Sequence, residues 1–137
     1  IEHGMGVTEG MVRILVSDRS GIIIPERCFH TKVRPEFGIT YGDSTLLYEF
    51  CTRDNAHRMN VLRRKVNAYQ TFEGQYVFLF VLDRPREEVK EVVKKLQPRG
   101  MFMFTDYETF KSVPLGQQLT AKIYLWEDGH EYQLRSD

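Results

Sequence analysis

Only two of the 137 residues are cysteines, Cys28 and Cys51, and the four histidines, His3, His30, His57 and His130, show no His-x-x-x-His spacing. With no Cys-x-x-Cys pair either, a disulfide framework is excluded, zinc is disfavoured, and a reduced, cytoplasmic compartment is the simplest expectation. No run of about 18 apolar residues exists, so no membrane-spanning helix is expected. Net charge is also lacking, because nineteen Lys and Arg are offset by nineteen Asp and Glu. Any affinity for nucleic acid must then come from local clustering of charge rather than from an overall basic field. A glycine-rich phosphate loop is missing too, since Gly4-Met5-Gly6 precedes a helix but follows no strand. There are no repeats and no low-complexity linker. The chain opens on Ile1 without a signal-peptide pattern, which suggests a piece of a longer protein.

What remains is ordinary globular material, 42% hydrophobic and 28% charged. At this length residues 1–137 fit one domain, able to bury about two-thirds of the surface of the unfolded chain. Val7, Met11, Ile14 and Leu15 recur at helical spacing over 7–17, with Gly10 a weakness in that helix. After a Ser20-Gly21 turn, Ile22-Ile23-Ile24 halted by Pro25 suits a short or edge strand. Tyr76 to Leu82 is apolar on both faces and belongs in the middle of a sheet. Pro85 then opens a helix with Glu87 and Glu88 in its first turn, Val89, Val92, Val93 and Leu96 on one face, and Lys94 and Lys95 in its last. Met101 to Thr105 reads as another buried strand, and Asp106 to Phe110 as a short helical turn. A terminal hairpin is expected from Ala121 to Trp126 and Glu131 to Leu134 across Asp128-Gly129.

Val33 to Tyr69 carries the chemistry. One strand bears Arg34-Pro35-Glu36 and the alternating Phe37, Ile39 and Tyr41; a Gly42-Asp43 turn leads to a second, more central strand ending near Glu49. A helix capped at Asp54 or Asn55 follows, with Met59, Leu62, Val66 and Tyr69 on its apolar side and Arg58, Arg63, Arg64 and Lys65 as a basic group available to DNA phosphates. The coarse order is helix, three strands, helix, strand, helix, strand, hairpin: an α/β fold of α+β character with a mixed sheet and helices on both sides.

The first six elements resemble the restriction-endonuclease-like core of PD-(D/E)xK nucleases. In that family an acid following Pro and an acid two residues from a Lys hold Mg²⁺ or Mn²⁺ and polarise water or phosphate, and strand period two puts the second acid and the Lys on one face. Glu36 and Glu49 match the two acids, as catalytic residues and metal ligands, whereas Cys51 stands where the Lys belongs. Arg53, if the strand continues, or Lys65, from the following helix, are the alternative cations. Cys51 as a nucleophile beside His57 is a further option, against a buried structural thiol.

From His3 to about residue 110 the chain also resembles the replication-relaxation family of bacterial plasmids, conjugative elements and phages, through His3-Gly4-Met5-Gly6-Val7-Thr8-Glu9, Arg34-Pro35-Glu36, Leu47-Tyr48-Glu49 and Leu62 to Tyr69. That resemblance implies a nuclease-like domain separated from an N-terminal winged helix. With Cys51 in the cation's place, the leading expectation is a non-catalytic or degenerate domain of a replication or transfer protein that binds DNA or a protein partner and needs no cofactor. The alternatives are an active Mg²⁺- or Mn²⁺-dependent endonuclease and a dimerisation module whose hairpin extends the sheet of a homodimer. Carboxylates within about 5 Å of each other, with a cation beside them, would mark a metal site rather than surface decoration.

Overall fold

The computed structural model describes residues 2–17, 21–29, 33–41 and 43–135. Ser20 and Gly42, each half of an expected turn, and His30 lie outside the described residues. Among the described residues, five α-helices and a 3-10 turn at Glu26–Cys28 surround one seven-stranded mixed sheet. The strands are β1 (Ile22–Pro25), β2 (Phe37–Tyr41), β3 (Ser44–Cys51), β4 (Tyr76–Leu82), β5 (Phe102–Asp106), β6 (Tyr124–Leu125) and β7 (Glu131–Tyr132), and they lie side by side in chain order. β1, β2 and β3 pair antiparallel, β3, β4 and β5 parallel, and β5, β6 and β7 antiparallel again. The two parallel joins demand crossovers that carry helices, and the chain provides them.

Helix α1 (His3–Ser17) covers one face of the sheet with α5 (Tyr107–Ser112); α3 (Met59–Tyr69) and α4 (Arg86–Leu96) cover the other. Period two in β3 sorts its side chains: Leu46, Tyr48 and Phe50 join the α1 side, while Leu47 and Cys51 join the α3 and α4 side. Glu49 follows the odd-numbered set and is 1% exposed, the one charged residue in an otherwise uncharged strand. The strands expected to be central are those buried on both faces, β3, β4 and β5.

Several boundaries differ from expectation. The helix after β3 is two, α2 (Arg53–Ala56) and α3, because Arg58 takes an extended conformation at φ −100° and ψ 92°. The break holds because Arg84 Nη1 donates to the freed carbonyl of Ala56 at 2.8 Å. β2 begins at Phe37, leaving Glu36 just outside the strand. The terminal hairpin turns at Asp128-Gly129 with Gly129 at φ 79°, but its strands shrink to two residues each.

α1 also starts earlier than its periodicity suggests, at His3, and its glycines are packing sites. A Cβ on Gly6 would stand 2.3 Å from Phe50 Cδ2, and one on Gly10 2.1 Å from Tyr48 Cζ. These two glycines let the helix lie directly on the aromatic rings of β3, and Tyr48 Oη donates to the Gly6 carbonyl at 3.0 Å. Gly10→Ala improves helix propensity by about 1 kcal/mol, yet overpacking a core costs about 1–3 kcal/mol. The urea midpoint is therefore expected to fall in Gly10→Ala, whereas Gly4→Ala, which meets nothing within 4 Å, should leave it unchanged or slightly raised.

Candidate functional site

β2 and β3 separate beyond Phe37 and Tyr48. Their pairing runs to Phe37 opposite Tyr48, with one further bond from Glu36 N to the Tyr48 carbonyl at 3.0 Å. Continuing that register would set Pro35 opposite Phe50, and proline has no N–H to give a ladder. β3 runs on through Glu49, Phe50 and Cys51 with β4 on one side only. The open edge is closed by a side chain: Glu36 Oε2 accepts from Phe50 N at 3.2 Å. Glu36 Oε1 meets His3 Nε2, from the first turn of α1, at 2.6 Å.

Glu49 reaches from β3 toward α3. Lys65 Nζ donates to its Oε2 at 3.0 Å, and Tyr69 Oη donates to its Oε1. Lys65 and Tyr69 are four residues apart, which puts them on one flank of the helix, so a single element supplies both donors. The two carboxyls lie close enough that each feels the other's charge. The side chains of Glu49 and Glu36 are 2% and 9% exposed, against 20% for Lys65 and 50% for His3, so solvent reaches the pair from the His3 and Lys65 side.

Burial raises the pKa of Glu36, although the hydrogen bond from Glu49, the Lys65 charge and Phe50 N oppose the rise. Glu49 is raised further, by burial first and then by the neighbouring Glu36 charge and the hydrogen bond to it, against Lys65 and Tyr69. Two carboxyls in contact cannot both ionise cheaply, and their titration belongs to the pair. We therefore read the pair as holding one proton between its members, leaving one negative charge that the Lys65 ammonium balances. Burial tends to lower the pKa of Lys65, but the Glu49 charge and the rest of the cluster more than reverse this, so it stays charged. Cys51 is 1% exposed, and burial pushes its thiol well up, which keeps it neutral and removes it as nucleophile or ligand. His57 is engaged elsewhere, with Glu88 and the Arg53 carbonyl.

The expected site residues divide. Glu36, Glu49 and Lys65 come together. Arg63 instead donates to the Lys95 carbonyl at 3.1 Å, tying α3 to α4. Arg58 and Arg64 are exposed. Arg53 is not on a continued strand, because β3 ends at Cys51; it opens α2 and lines a separate cleft. His3 and Tyr69 were missed. A tyrosine at i+4 from Lys65 on the apolar side of a helix is a usable signal, since a buried hydroxyl needs a partner. His3 lies 33 residues from Glu36, and nothing local in the sequence connects them. No cluster of three or more His, Cys, Asp or Glu placed to hold a metal occurs among the described residues. None of the described helices is long and apolar enough to cross a membrane.

The raised carboxyl pKa values have a sign. Above about pH 4.5, the ordinary glutamate value, the unfolded chain releases protons that the folded pair retains. The stability of the domain in chelator is therefore greatest below that pH and falls as pH rises toward the folded pKa values. Glu49→Gln removes the proton-sharing partner. Each unit of pKa elevation is worth about 1.4 kcal/mol, so the thermal midpoint at pH 8 should rise by several degrees in Glu49→Gln while its value at pH 4.5 changes little. Parallel pH profiles for the two proteins would show that the pair does not share a proton.

Compared with protein-family models, curated proteins and solved structures, the chain matches none.

Proposed function

We propose that this chain is a restriction-endonuclease-like domain that hydrolyses a phosphodiester bond of DNA, using Glu36, Glu49 and Lys65 with a divalent cation. One observation carries the reading: Lys65 Nζ stands 3.0 Å from Glu49 Oε2, so α3 supplies the cation that Cys51 does not. The order helix, strand, strand, strand, helix, strand from α1 to β4 agrees with it.

The donor set fits a hard cation. Two carboxylates from adjacent chain segments offer oxygens only, and each ionised oxygen keeps lone-pair capacity beyond its present donor. With no third protein ligand beside them, Mg²⁺ or Mn²⁺ would keep most of its waters, as these ions do when one or two carboxylates hold them. When bound, such an ion polarises a phosphoryl oxygen and acidifies a coordinated water.

The chain's own residues do the rest. His3 and Phe50 N fix the two oxygens of Glu36; Tyr69 fixes one oxygen of Glu49. Lys65 gives an ammonium that can turn from Glu49 to a phosphate oxygen and stabilise the charge that develops there. Loss of the shared proton leaves a dianionic pair ready for a cation, so ion binding should release a proton. The likeness to replication-relaxation proteins would put the domain in the replication or transfer of a mobile element.

A second reading, a domain that holds DNA or a protein partner without cutting, is favoured by one feature. All four carboxyl oxygens already have a donor from within the chain.

Supercoiled plasmid incubated with the domain and Mn²⁺ decides between them. Nicking is expected, abolished by chelator and reduced about 100-fold or more in Glu36→Ala and in Lys65→Met. An inactive native domain, or nicking that survives Glu36→Ala, would leave the holding role.

A further inference from the structure

A second cleft, of about 570 Å³, opens where β3, β4 and β5 end. Its lining includes Arg53, just beyond Cys51 of β3, Asp83, just beyond Leu82 of β4, and Asp106, the last residue of β5. In open α/β sheets the crevice beyond the carboxyl ends of parallel strands is where ligands bind.

Most of the cleft's charges are already committed. His57 and Arg84 both bind Glu88, and Arg84 also holds the Ala56 carbonyl. Arg86 binds Asp106 at 2.7 Å and Glu131 at 2.9 Å. Using any of these cations for a ligand would break an ion pair. Among the described residues, Arg53 is the lining cation whose side chain has neither ion pair nor hydrogen bond, and it is exposed. The paired residues make a fixed wall, and Arg53 is the group free to bind.

Its position relates it to the carboxyl pair. Arg53 follows Glu49 by four residues, so at about 3.3 Å per extended residue their Cα atoms are no more than about 13 Å apart. A DNA strand rising about 3.4 Å per nucleotide spans that separation within about four nucleotides. A guanidinium presents a planar fork that matches phosphate oxygens.

We propose that Arg53 binds a phosphate flanking the scissile one, which makes the site selective for polynucleotides over simple phosphodiesters. This rests on the phosphodiester reading above. Arg53 would act on substrate binding, leaving the reacting atoms to Glu36, Glu49 and Lys65.

The test uses the full chain with three probes: a fluorescent DNA duplex, an RNA duplex of the same length, and bis(p-nitrophenyl) phosphate, which has one phosphodiester and no neighbouring phosphate. In Arg53→Ala, DNA affinity by anisotropy should fall about tenfold, and the slope of log affinity against log salt should shrink by about one. Arg53→Lys should restore part of both. With Mn²⁺, KM for DNA should rise while kcat holds, and hydrolysis of bis(p-nitrophenyl) phosphate should stay within about twofold of native. Equal loss on DNA and on the small ester, or DNA affinity and salt slope unchanged by Arg53→Ala, would overturn the assignment. A native chain that cleaves neither substrate but loses one unit of salt slope in Arg53→Ala would refute the cutting reading and keep the phosphate contact. The RNA arm reads the sugar: equal effects on both duplexes identify a backbone contact, as proposed, and an effect on RNA alone overturns it for DNA.

Discussion

The burial of two neighbouring carboxyls, Glu36 and Glu49, is the constraint that the surrounding structure answers. Two carboxyls withdrawn from water near one another are unfavourable unless a proton or a cation offsets their charge. Here burial raises the pKa of both carboxyls, and the Lys65 ammonium meets Glu49 at 3.0 Å. Each nearby element contributes to that balance. Pro35 ends the ladder so that Glu36 can turn onto the edge of β3, α1 brings His3 to its outer oxygen, and α3 brings Lys65 and Tyr69 to Glu49. Even the break between α2 and α3 belongs to this arrangement, since it frees α3 to start at Met59 on its own axis.

Such an arrangement is a poor way to stabilise a fold. β3 reads Ser-Thr-Leu-Leu-Tyr-Glu-Phe-Cys, and an apolar residue at position 49 would continue its core stripe between Leu47 and Cys51. Replacing buried charge by apolar packing is often neutral or stabilising. Perturbed, coupled carboxyls with a specific cation partner are more characteristic of sites whose chemistry needs them, and structural ion pairs elsewhere in this chain look different. Arg86 with Asp106 and Glu131, for example, is a pairing of opposite charges that joins α4, β5 and the terminal hairpin.

Much of the fold was legible because it is written in periodicity. Leu46 to Phe50 and Tyr76 to Leu82 announce strands buried on both faces, and Val89, Val92, Val93 and Leu96 announce the buried stripe of α4. The breaks were less legible. Thr52 to Tyr69 contains no Gly or Pro to mark a break, and the interruption is held by a tertiary bond from Arg84, 28 residues away from Ala56. At the site, Glu36 and Glu49 were readable from the proline before one and the apolar strand around the other. Lys65 was readable as one of two alternative cations, with Arg53, but sequence spacing does not say which flank of a helix faces a strand edge. His3 was not readable at all, since its role depends on how α1 is laid down by Gly6 and Gly10 against Phe50 and Tyr48.

A lysine carried on a helix rather than on a strand changes what the cluster depends on. A lysine on β3 would be held by the sheet, whose register with β4 is fixed over seven residue pairs. Lys65 is held by the seating of α3. Leu62 and Val66 bury that helix against the sheet, and Arg63 fastens its other flank to the last turn of α4 through the Lys95 carbonyl. The lysine stem is long and flexible, so an ammonium can meet the same carboxylate from either element, provided its backbone stays in place. Position 51 lies in the apolar core, where a thiol that would serve poorly as a ligand for a hard cation packs well as a small residue. Cys51 thus packs in the apolar core, while the positive charge beside the carboxyls comes from α3.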